Sequence, residues 1–183
     1  GKKYPKVTLT HRYRRSIEKS AAFQQNKFIG SAHESYSRLK ANLYHNLSTG
    51  LLIQKDVGEK SYFDHYAGFL SWNHPKFPIK IILGNYFISG GEGLLLSAPF
   101  SPPKLGYIKS PPSTHYPRAR PFLSSNEYDG FLGGVLEIGD PTSWRLIVFY
   151  SDIARDAILS DDSDILGFDR SGYHRTLSER LKA

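Results

Sequence analysis

The side chains with chemical potential in this sequence are few and dispersed. Glu92 lies among Gly90, Gly91 and Gly93, while Asn126 and Glu127 follow Ser124 and Ser125. A carboxylate in a glycine-rich turn can act as an acid or base. It can equally accept hydrogen bonds from backbone N–H groups that the turn leaves open. The anchoring role is the expected one for Glu92, Asn126 and Glu127, with Gly90, Gly91 and Gly93 forming a kink that permits close backbone approach. The seven histidines, at 11, 33, 45, 65, 74, 115 and 174, are scattered and none is paired at i, i+4. No metal site is expected from them. Asp161, Asp162 and Asp164 lack the Gly and bidentate Glu of a calcium loop in register, and read as a solvated acidic loop. The G-x-x-x-x-G-K-S/T phosphate loop, the dinucleotide glycine pattern, H-E-x-x-H and G-x-S-x-G are all missing. Without Cys there is no thiolate nucleophile and no disulfide. Neither catalysis nor a cofactor is expected.

Charge is the remaining chemical signal. The formal net charge is +7, and it is local: residues 1–60 hold 12 basic and 4 acidic side chains, residues 61–183 hold 12 and 13. A basic first third implies anionic partners such as nucleic acid, lipopolysaccharide or anionic lipid, or else a polar barrel wall. Arg12, Arg14, Arg38 and Lys40 are the candidate binding residues, on a basic face. Arg12 and Arg14 flank Tyr13, an interleaving that single-strand binders also use.

The elements that must position these residues are strands. Aromatics make up 14% of the chain, with 12 Tyr and 11 Phe, against only 39% hydrophobic residues, a composition suited to sheet. Between Lys6 and Arg14, Val7, Leu9, His11 and Tyr13 alternate with Lys6, Thr8, Thr10, Arg12 and Arg14. That period of two predicts one apolar and one cationic face. Residues 38–54 predict a hairpin, with Leu39, Ala41, Leu43, Leu51 and Ile53 on one face and Arg38, Lys40 and Asn42 on the other. Its turn is Tyr44, His45 and Asn46, where Asn tolerates the left-handed region. Residues 62–72 alternate less cleanly. The central strand runs from Ile79 to Ile88 and breaks at the glycine kink. Seven of the 11 prolines fall between 99 and 125, which predicts an extended loop with no ladder strand. Strands resume over 131–138 and 144–150, with a further strand expected near 153–159 and a polar, helical segment near the end. Residues 16–25 suit one helical turn or an irregular strand.

No apolar run approaches the ~18 residues of a membrane-spanning helix. A membrane β-barrel remains open, because only alternate residues of each strand need be apolar. The chain starts with Gly1 and has no Met, and reads as processed or excised.

Several motifs, taken in order, resemble a family of Gram-negative outer-membrane β-barrel proteins described as helix-hairpin-helix-containing. The family's G-D-Y … F-G-Q-G-L is similar to Gly84, Asn85 and Tyr86 followed by Gly90, Gly91, Glu92, Gly93 and Leu94. Its E-K-D-x-G-E turn resembles Gln54, Lys55, Asp56, Val57, Gly58 and Glu59. Its S-S-N-E … F-F-R-G-A segment resembles Ser124, Ser125, Asn126 and Glu127 with Phe131, Leu132, Gly133 and Gly134. Phe149, Tyr150 and Ser151 match an F-Y-S, and Gly172, Tyr173, His174, Arg175 and Thr176 with Glu179 match G-L-H-R-T … E. Asn85, Glu92 and Leu132 depart from the family's Asp, Gln and Arg. The resemblance implies a location and an architecture but no activity, and implies that this chain is the first part of a longer barrel.

The expected fold is all-β: an antiparallel β-barrel or partial barrel wall, a meander of about eight or nine strands such as membrane barrels use. It carries a long proline-rich loop at 99–125 within a single domain spanning 1–183. The expected location is the bacterial outer membrane, with a structural or solute-passage role. The expected partners are outer-membrane lipid or lipopolysaccharide, other envelope proteins, or the rest of the same chain. The alternative is a soluble basic β-barrel module that binds nucleic acid or anionic polysaccharide, with nucleic acid the less favoured partner.

Overall fold

A computed structural model describes residues 4–18, 20–44, 46–90, 96, 118–126, 128–140, 143–155, 157–160, 164–168 and 175–176. The fold is all-β. Strands β1 (Lys6–Arg15), β2 (His33–Leu43), β3 (Leu47–Lys55), β4 (His65–Asn73) and β5 (Ile79–Ser89) follow one another through the first half of the chain. Strands β6 (Arg118–Pro121), β7 (Phe131–Ile138) and β8 (Leu146–Ser151) complete an eight-stranded antiparallel sheet. Its order is β1-β2-β3-β4-β5-β7-β8, with β6 paired to β5 off that path. The sheet is open, with β1 and β8 at its edges among the described residues. Strands β9 (Ala157–Leu159) and β10 (Ile165–Phe168) form a separate pair. Of the two readings open for residues 16–25, the helical turn is the one present, as α1 (Ala21–Gln24).

Register converts the period-two pattern into two continuous faces, because directly opposed residues point the same way. Leu9, Leu39, Leu51 and Gly68 form one rung across β1 to β4. Thr10, Arg38, Leu52 and Ala67 form the next rung, on the opposite face. The hairpin turn differs from expectation in one residue. Tyr44, not Asn46, takes the left-handed conformation, with φ 60°. The Asn46 carbonyl instead accepts the Asn73 N–H at 2.8 Å, which extends the β3–β4 ladder.

Strand β5 changes partner halfway. Up to Gly84 it pairs with both β4 and β7, and beyond Gly84 its β4 side is taken by β6. Gly84 has φ +92°, and a Cβ there would lie 2.3 Å from the Gly68 carbonyl oxygen, so only glycine fits. The next residue closes the gap with its side chain: the Gly68 N–H donates to Asn85 Oδ1 at 2.8 Å.

The proline-rich stretch does contain a ladder strand, contrary to expectation. Residues Arg118 to Pro121 pair with Ser89 to Tyr86. Proline is tolerated here because Pro121 ends a four-residue strand, where one missing N–H breaks no continuous ladder. The buried core is Ile82, Tyr86, Ile88, Ala119 and Val135, with the Tyr86 hydroxyl donating to the Tyr150 carbonyl at 2.8 Å.

Candidate functional site

One face of the sheet carries apolar side chains on every strand from edge to edge, interrupted by His11, Ser37 and Thr49. It presents Val7, Leu9 and Tyr13 on β1, Leu39, Ala41 and Leu43 on β2, and Leu47, Leu51 and Ile53 on β3. Tyr66, Leu70 and Trp72 continue it on β4, Ile79, Ile81 and Leu83 on β5, and Leu136 and Ile138 on β7. Leu146, Val148 and Tyr150 finish it on β8. Ala41 is buried at 7%, but most of these side chains are not a covered core: Leu70 is 44% exposed, Leu51 47%, Leu83 52% and Val148 54%. Exposed aromatics gather at both ends of the strands. Tyr44, Phe77 and Trp144 stand where the short turns are, and Tyr13, Tyr62, Phe63 and Tyr66 stand where the long connections are.

The opposite face is mixed and partly covered, with the buried core residues Leu52, Ile82 and Val135 at its centre and polar residues toward the β1–β2 edge. At the β1–β2 edge it carries Lys6, Thr8, Thr10, Arg12 and Arg14 against Asn42, Lys40, Arg38, Tyr36 and Glu34. The four candidate binding residues, Arg12, Arg14, Arg38 and Lys40, therefore share one surface. Glu34 is buried beneath two of them, with Arg12 Nη2 donating to Oε1 at 3.0 Å and Arg14 Nη2 to Oε2 at 2.6 Å. The Arg12 and Arg38 guanidinium carbons lie 5.2 and 5.9 Å from the centre of the Tyr36 ring. A cation over a π face is attracted by the ring quadrupole, so Tyr36 braces both arginines.

Further along the same face, residues 118–124 lie across the sheet as a strap. Lys80 Nζ donates to the Ala119 carbonyl at 2.8 Å, and the Ala119 N–H donates to Glu137 Oε2 at 3.0 Å. Glu137 Oε1 faces Arg145 Nε at 3.3 Å, with both side chains nearly buried. One strap residue, Ala119, is thus held at its backbone N–H and at its carbonyl by charged side chains. The Phe122 N–H donates to the Asn85 carbonyl at 2.9 Å, and His65 Nε2 donates to the Ser124 carbonyl at 2.9 Å. Leu123 packs over Gly50, where an added Cβ would come within 2.9 Å of its methyl and 2.6 Å of the Phe69 ring. The missing side chain at Gly50 makes room for the strap.

A second buried polar corner closes the loop end of β3. Lys55 and Glu59 are each 1% exposed. Lys55 Nζ donates to the carbonyls of His33 and Asp56, both at 3.1 Å, and the Asp56 N–H donates to Glu59 Oε2 at 3.0 Å. These residues fasten a turn.

The kink and anchor residues fare unevenly. The Gly90 N–H donates to the Leu96 carbonyl at 2.9 Å. Gly91, Glu92, Gly93 and Glu127 lie outside the described residues, as do 97–117 of the proline-rich stretch. Asn126 accepts backbone N–H groups through Oδ1, from Tyr128 at 3.0 Å and Asp129 at 3.3 Å. It stabilises its own turn. The contact between the proline-rich stretch and the strand before the kink is made by Arg118 to Pro121 on Ser89 to Tyr86. Lys80, Glu137, Arg145 and Glu34 were not singled out from sequence. The only available signal was a charged residue inside an otherwise apolar strand, as for Lys80 and Glu137.

No family model matches the chain, and neither a curated protein nor a solved structure shows significant similarity to it.

Proposed function

We propose that this chain is part of the wall of a bacterial outer-membrane β-barrel, with a structural or solute-passage role and no catalytic step. The observation that carries the reading is the exposed apolar face. A contiguous apolar surface across seven strands far exceeds the few hundred Å² that soluble monomers expose. Lipid is the solvent such a face suits, and in lipid only strands joined in a closed barrel satisfy every backbone group.

Three features support the same reading. Strands β1 to β5 are 9–11 residues long, which is the length of about 9–11 residues that a tilted strand needs to cross a bilayer. Aromatics flank the apolar band at both ends, as interfacial girdles do. Connections alternate between short turns at one end and long ones at the other, the arrangement of outer-membrane barrels. The open edges β1 and β8 then need further strands against them, from other envelope proteins or from more of the same chain.

The test is dependence on detergent. The expected outcome is aggregation in plain buffer and a monodisperse species in detergent that inserts into lipid vesicles. Monodisperse protein without detergent would sink the barrel-wall reading and favour the soluble basic module. In that event, DNA binding that weakens steeply with salt would identify a nucleic-acid surface.

A further inference from the structure

The β1–β2 ladder carries one cation on every polar-face rung. Lys6 stands opposite Asn42, Lys40 opposite Thr8, Arg38 opposite Thr10, Arg12 opposite Tyr36 and Arg14 opposite Glu34. Rungs on one face recur every two residues, about 6.8 Å apart. Five rungs therefore extend roughly 27 Å along the strand, enough at a tilt of ~40° to cross most of an apolar band ~25 Å tall.

Among the described residues, compensating charge is confined to one end of this ladder. Glu34 serves Arg12 and Arg14 at the loop end. The β3 residues next to the remaining cations are Leu52 beside Arg38, Gly50 beside Lys40 and Ser48 beside Asn42, all uncharged. Arg38 and Lys40 have no ion-pair partner among the described residues. Elsewhere the polar face lies under the strap, whose contacts reach Gly50, His65, Lys80 and Glu137. Among the described residues, the β1–β2 ladder is the part of this face that the strap does not reach.

We infer that this ladder is an anion pathway, which makes the passage selective for small solutes bearing phosphate, sulfate or carboxylate groups. The inference rests on the barrel-wall reading and adds a substrate class to it. Neighbouring rungs are closer than the Debye length of ~8 Å at physiological salt, so their fields merge into one positive strip. An anion can pass from rung to rung without crossing a neutral gap, whereas a cation is repelled along the whole path. The Arg12 and Arg14 side chains remain 63% and 73% exposed although both touch Glu34. A guanidinium has five N–H donors, so each keeps several for an arriving oxyanion.

The experiment is current recording across a planar lipid bilayer containing the protein, under a KCl gradient. The expected reversal potential has the sign of chloride preference, and inorganic phosphate added to the bath lowers the chloride current. Arg38→Glu combined with Lys40→Glu should move the reversal potential toward potassium, and Lys6→Glu alone should move it part of the way. Selectivity should fade at ~1 M salt, where the Debye length is ~3 Å. Current without anion preference, or a preference unchanged in these variants, would overturn the anion ladder and leave the passage standing. Protein whose insertion is verified by protease protection, but which carries no current, would overturn the passage and the ladder together.

Discussion

On the apolar face, Leu51, Leu70 and Leu83 have no covering layer among the described residues and stay about half exposed. One residue along the same strands, Leu52, Ser71 and Ile82 are at or below 2% exposure beneath the strap and its neighbours. A water-soluble sheet orders its faces the other way, with the larger apolar side chains toward the covered side. Here the covered side holds charged groups, a serine and glycines beside its apolar core, and the open side holds leucines, isoleucines and aromatics. Burial within the chain therefore does not follow hydrophobicity alone: Lys55 and Ser71 are buried while Leu51 and Leu83 stay exposed. The comparison is what supports the barrel-wall proposal, because an apolar solvent suits an open face of this composition.

The sharpest way to break the comparison is at the charged grip on the covered side. Glu137→Ala removes the carboxylate that the Ala119 N–H and Arg145 share. Truncating one member of a buried ion pair costs about 3–5 kcal/mol. The expected outcome is a large drop in the urea midpoint for folding into lipid vesicles, with Glu137→Gln retaining more stability because its amide oxygen can still accept from the Ala119 N–H. Equal stability of Glu137→Ala and the parent protein would show that the strap is not held this way.

Gly84→Val tests the bend that lets β5 leave β4. The new side chain meets the Gly68 carbonyl and must adopt φ +92°. Strained backbone and overpacking each contribute ~1–3 kcal/mol, so a loss of about 4 kcal/mol is expected. Equilibrium unfolding in detergent checks it, and a loss no larger than that of an ordinary strand glycine would remove the bend from the account.

The open face is tested by Leu83→Arg, which should cost ~2–4 kcal/mol if the residue lies near the bilayer midplane. Lys40→Ala, on the exposed part of the polar face, should stay within ~0.5 kcal/mol of the parent. Vesicle-refolding yields for the pair decide the matter. Equal tolerance at both positions would mean that the open face does not contact lipid.

The hairpin shows how much the sequence alone made legible. Alternation placed Leu39, Ala41, Leu43, Leu51 and Ile53 together against Arg38, Lys40 and Asn42, and the β2–β3 register keeps each on its expected side. The same holds for Leu146, Val148 and Tyr150, while Trp144, expected with them, lies ahead of the strand. Side-chain direction in a strand depends only on the parity of position, so a face can be read from one segment without knowing its neighbours. The four basic residues could be grouped for the same reason.

Other features depended on residues far apart in sequence. Alternation could not say that Asn85 would replace a ladder acceptor for Gly68, or that Gly50 would be needed by Leu123. Composition suggested that prolines would exclude a strand, yet Arg118 to Pro121 pairs with β5 because a four-residue strand ending in proline loses little. By itself the sequence determined the longer strands, their two faces and the concentration of cations in the first third, because each follows from local spacing. Only the tertiary structure decided which face is covered, where the strap lies and which charges are gripped. Those outcomes come from contacts such as His65 with Ser124, 59 residues apart, and no local period encodes a contact across that distance.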